Sequence, residues 1–126
     1  MILKYKNLWL SCGWIMVATV IYLSLTPSPP QGLNLWDKLN HFIAYAGLMV
    51  WFGQIYRSLS GRIVFTLYFI GMGIGIEVLQ GMGGVRQFEY HDMLANSIGV
   101  LAALLILKLN GDRVLFWVEQ RFLKAS

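Results

Sequence analysis

Apolar positions fall into four long runs, about Leu8 to Leu25, Leu39 to Tyr56, Ile63 to Met82 and Met93 to Leu109. Each is close to the roughly 20 residues with which a helix crosses the hydrocarbon core of a bilayer. An open strand would leave its backbone groups unpaired in lipid, so the runs predict helices. The stretch Thr26-Pro27-Ser28-Pro29-Pro30-Gln31-Gly32 ends the first run, because proline lacks an N–H and collides with the preceding turn. Arg57-Ser58-Leu59-Ser60-Gly61-Arg62 is a short polar turn, and Gly81-Met82-Gly83-Gly84-Val85-Arg86 is a flexible break. Asn110-Gly111-Asp112 closes the fourth helix with a glycine stop. Beyond it, Val114, Leu115, Val118 and Phe122 recur at roughly helical spacing among Arg113, Gln120, Arg121 and Lys124, which fits a short C-terminal interfacial helix. The expected fold is all-α: one domain, residues 1–126, built as a polytopic four-transmembrane-helix bundle.

Composition strengthens this reading. The chain is 57% hydrophobic and 13% charged over 126 residues, with a mean hydropathy of +0.60. Soluble domains carry about 25% charged residues, and a chain this short has no core large enough to hide so much apolar surface. The net charge of +4 does not point to nucleic acid, since no basic run tracks along the chain. It sorts by side instead. Eight of the ten Lys and Arg residues (Lys4, Lys6, Arg57, Arg62, Lys108, Arg113, Arg121 and Lys124) fall on one side of a four-span chain, and only Lys38 and Arg86 on the other. The positive-inside rule puts the eight, and both termini, in the cytoplasm. The first run is longer than a signal-peptide core and no A-x-A-like site follows it, so it is expected to stay as an anchor. Cys12 is the only cysteine, which excludes an internal disulfide and multi-cysteine metal sites.

The opposite, outer side gathers the chemistry: Asp37, Lys38, His41, Glu77, Gln80, Arg86, Glu89, His91, Asp92 and Asn96. Glu77 lies inside the third run, where a carboxylate is costly (about 2.5–3.5 kcal/mol for Asp at a helix centre) and normally turns to the bundle interior. Asp37 and His41, Glu77 and Gln80, and Asp92 and Asn96 are spaced to share helix faces. One outward-opening polar pocket would satisfy all three pairs. Asp37 and Asp92 also suit helix N-caps, and Lys38, Glu89 and His91 suit a solvated loop. The stripes Gly73, Glu77, Gly81 and Ala95, Gly99, Ala103 suggest that the third and fourth helices pack closely. No HxxxH, HExxH, GxSxG or P-loop pattern occurs, and no metal or cofactor is expected.

Several elements together resemble the VanZ-like family: Ser24-Leu25-Thr26-Pro27, Asp37-Lys38-Leu39-Asn40-His41-Phe42-Ile43-Ala44-Tyr45, Glu77-Val78-Leu79-Gln80, Arg86-Gln87-Phe88-Glu89 and Asp92-Met93-Leu94-Ala95-Asn96-Ser97-Ile98-Gly99. The likeness runs from about Leu23 to Leu107, and departs from the family where Gly83-Gly84-Val85 replaces a frequent proline before the arginine. The resemblance implies a small protein of the bacterial cytoplasmic membrane, in a family named for low-level teicoplanin resistance. Its matching polar positions are Asp37, Lys38, His41, Glu77, Gln80, Arg86, Asp92 and Asn96. The expected role is binding of an amphiphilic envelope ligand, such as a lipid-linked glycan or a lipoglycopeptide, with Lys38 and Arg86 meeting an anionic headgroup. A second hypothesis is an enzyme acting on an envelope lipid, with Glu77 or Asp92 as general acid or base beside His41. A third, a transporter using Glu77 protonation, is weakened by the scarcity of polar residues in the inner halves of the helices, where Gln54 and Thr66 are exceptions.

Overall fold

The computed structural model describes residues 2–26, 35–83 and 90–123. Five α-helices follow one another: α1 Lys6–Leu25, α2 Leu35–Ile55, α3 Leu59–Met82, α4 Tyr90–Lys108 and, after a 3₁₀ turn over Gly111–Arg113, α5 Val114–Phe122. The described residues contain no strand.

The helices begin before the apolar runs that predict them, and in α3 a polar flank supplies the cap. Helix α3 starts at Leu59, four residues before its apolar run, with the Ser58 hydroxyl accepting from the Gly61 N–H at 3.0 Å. Arg62 is therefore a first-turn helical residue, and its Nε donates to the Gly53 carbonyl (3.1 Å) in the last turn of α2, where carbonyls lack helical partners. Helix α2 starts at Leu35, so Asp37 and Lys38 are helical, and α4 starts at Tyr90, so Asp92 is its third residue. Neither aspartate is the N-cap. After α4, the left-handed conformation that usually selects glycine falls on Asn110 (φ 76°). Gly111 is needed for space: a Cβ there would lie 2.6 Å from the Ile106 carbonyl oxygen.

Helices α1 to α4 run up and down. Contacts at one end join Lys4 to Glu119 and Arg57 to Asp112, while contacts at the other join Ser24 to Gln80 and Lys38 to Asp92. Helix α2 packs most extensively on α4 and also meets α1 and α3. The core is built from all four, with Val17, Tyr45, Leu48, Met49, Phe52, Phe69, Val100, Ala103 and Leu107 buried together. Phe52 stacks on Phe65 with ring centroids 4.8 Å apart.

Close approach between α2 and α4 depends on Gly99. A Cβ there would lie 2.4 Å from the Phe42 carbonyl oxygen. The Gly99 part of the small-residue stripe on α4 thus faces α2, not α3, and Gly81 is exposed. Of the expected α3–α4 stripe, Gly73 holds: a Cβ there would meet Asn96 at 3.0 Å.

Helices α1, α3 and α4 are long and apolar enough to cross a membrane, yet only 17–33% of their most apolar windows is buried. Most of their apolar surface therefore faces outward, as at Ile15, Leu67, Leu101 and Leu105. Helix α2 has the length but not the composition, because it carries Asn40, His41 and Gln54.

Candidate functional site

The polar residues of the second and fourth helices meet as a two-rung ladder. On the first rung, Lys38 Nζ donates to Asp92 Oδ1, with the two side chains 16% and 7% exposed. On the second, His41 Nδ1 stands 3.0 Å from Asn96 Oδ1, a hydrogen bond that needs the ring proton on Nδ1. Lys38 and His41 are three residues apart on α2, and Asp92 and Asn96 four apart on α4, so each pair shares a face and the antiparallel helices bring the faces together. Lys38, expected in a solvated loop or at the rim, is thus a helical residue committed to an ion pair.

Helix α3 closes the third side. Gly73 lets it lie against Asn96, and four residues on, Glu77 is 1% exposed. Asp92 and Asn96 are buried as well. Glu77 therefore faces the bundle and not its apolar exterior, and His41, Glu77 and Asn96 occupy the same half of the molecule. Gln80 is equally buried but serves a different contact: its amide donates to the Ser24 carbonyl in the last turn of α1. It ties α1 to α3. His91 is exposed. Arg86, Glu89 and the Asp37 side chain lie outside the described residues.

Tyr45 is a member of this cluster that the sequence reading passed over. It sits one turn below His41 on α2, and its ring edge would meet a Gly73 Cβ at 3.4 Å. The signal was present: Asp37, His41 and Tyr45 recur every fourth residue along one face.

At the far end, α5 is docked on the start of α1 and the end of α2. Glu119, fully buried, accepts from the Lys4 N–H (2.8 Å), the Tyr5 N–H (2.9 Å) and the Trp9 indole (2.6 Å). Burial pushes its carboxyl pKa up, but these donors and the Lys4 charge outweigh burial and hold it below the usual carboxylate value. The Gln54 side chain accepts from the Leu115 N–H at 2.8 Å, so the lone polar residue near the end of α2 anchors the start of α5. A cavity of about 200 Å³ lies between these elements, bordered by Lys6, Arg57 and Asp112. Arg57 and Asp112 pair across it at 2.9 Å. Among the described residues no three of His, Cys, Asp and Glu come together as a metal site would need.

The chain is similar to an uncharacterized protein of the fission yeast Schizosaccharomyces pombe, 26% identical over 95 residues. That match takes in 73% of this chain and 57% of the yeast protein, so the chain spans little more than half of its relative's length. No family model and no solved structure matches.

Proposed function

We propose that this protein is a four-span membrane bundle of VanZ-like type whose outer polar cluster binds an amphiphilic envelope ligand, a lipid-linked glycan or lipoglycopeptide. The observation that carries this reading is the burial of Glu77, Asp92 and Asn96 together in one half of the bundle. Ionisable side chains at membrane depth are expensive, and the default account of their retention is a pathway or a site. The reading takes α2 as the fourth span. At 21 residues it is roughly 30 Å long, and Lys38, His41 and Gln54 bond to α4 and α5, so lipid does not have to solvate them, while Asn40, near the outer end, is exposed. The basic end would face the cytoplasm and the polar cluster the opposite side of a bacterial cytoplasmic membrane.

Binding is favoured over acid–base chemistry at Asp92 because its carboxylate is held in an ion pair with Lys38. Glu77→Gln keeps the shape and most hydrogen bonding while removing the titratable group. Asp92→Asn does the same for the ion pair. In a host that depends on this protein for growth or for teicoplanin resistance, both variants should reach the membrane at normal abundance on a blot and fail in function. Full function of both at normal abundance would leave the cluster a packing device.

A further inference from the structure

Tyr45 carries a contradiction. Its side chain is 1% exposed, yet its hydroxyl has no hydrogen-bond partner among the described residues. A buried phenol normally finds an acceptor, and one that does not calls for an explanation. The residue is not in a random part of the core. It lies one helical turn, about 6 Å, deeper than His41 on the same face of α2. Its ring rests on Gly73, where the missing side chain of α3 makes room for it and for Asn96. Glu77 follows Gly73 by one turn on the same face of α3 and is as deeply buried as Tyr45. Tyr45 is therefore the floor of the polar cluster, and its hydroxyl is left with a donor to spend beside a carboxylate.

We propose that Tyr45 is a ligand-recognition residue whose phenol donates to an alcohol hydroxyl of the bound molecule, with Glu77 accepting from the same hydroxyl. The chemistry selects that class. An ionised carboxylate only accepts, and the phenol has a proton to give, so a group lodged between them must donate to one and accept from the other. A sugar hydroxyl does both. A phosphate diester or a quaternary ammonium group cannot donate. The glycan hydroxyl, not the phosphate of a lipid-linked sugar, is what reaches the floor. This inference rests on reading the outer cluster as a ligand site.

The test uses the full chain in lipid nanodiscs and two probes, a polyprenyl phosphate carrying one glucose and the same polyprenyl phosphate without sugar. Wild type is expected to bind the glucosylated lipid at least tenfold more tightly. Tyr45→Phe keeps the ring and should abolish that preference, while melting at or above the wild-type temperature because it removes a hydroxyl that has no bond to lose. Three results would overturn the proposal: Tyr45→Phe retaining the preference, Tyr45→Phe melting several degrees lower because the hydroxyl is bonded within the protein, or wild type binding both lipids alike. In each of those cases a loss of lipid binding in Glu77→Gln would leave the ligand-site reading standing. Wild type binding neither lipid would remove both.

Discussion

At the scale of single residues, the molecule puts its acids where donors converge. Glu119 gathers two backbone N–H groups and an indole at the start of α1, where the helix dipole also favours negative charge. Its pKa is lowered on folding, so the stability it contributes is complete above the ordinary carboxylate value of 4.5 and is lost as pH falls through the lower folded value. Glu119→Ala strands three donors and should cost more than about 2 kcal/mol, since each hydrogen bond to a charged group is worth about 1.5–3. Limited proteolysis of the α5 segment measures this directly. Wild type should stay protected at neutral pH and open in acid, while the variant should be cut at both. Equal protection of the two proteins at neutral pH would mean that Glu119 does not hold α5. The sequence offers almost no sign of this clamp. Its partners lie more than a hundred residues apart, and no periodicity links a carboxylate in a basic tail to the amides before the first helix.

At the scale of helices, glycine positions separate contact from exposure. Gly99→Ala would drive a Cβ to 2.4 Å from a backbone oxygen of α2, which cannot swing aside. Thermal unfolding in detergent should show a loss of about 1–3 kcal/mol. Gly75 has open space around it, so Gly75→Ala should be neutral or gain up to about 1 kcal/mol from helix propensity. If both substitutions are tolerated alike, the α2–α4 contact is not as close as described. The small-residue spacing on α4 was legible in the sequence, but its partner helix was not. A stripe of Ala and Gly says that something approaches closely and is silent on which neighbour does. Helix ends were blurred for a related reason: Ser58, Arg62 and Lys38 are polar, and hydropathy alone assigns polar flanks to loops, although capping and ion pairing keep these residues at or within the helices.

At the scale of the whole chain, the separation of charge from polar chemistry was readable from the start. Arg57, Arg62 and Asp112 meet at one end, while Lys38, His41, Asp92 and Asn96 meet at the other. Residues 37, 41 and 45, and likewise 92 and 96, announced shared faces by their spacing, and the antiparallel bundle supplied the facing. What spacing did not reveal is that Gln80 serves α1, because its acceptor is a backbone carbonyl with no side-chain signature. The central proposal is that α2, too polar by composition to stand beside the other three candidate spans, crosses the membrane because Lys38, His41 and Gln54 are bonded to neighbouring helices. Parity tests it. Four crossings return the C-terminus to the side of the N-terminus, and three do not. Reporter fusions placed between Arg57 and Arg62 and after Lys124 should both report the cytoplasm, and one at Pro29 the outside. Fusions between Arg57 and Arg62 and after Lys124 that both report the outside would mean that α2 does not cross, and would contradict the four-span bundle and with it the outer polar site.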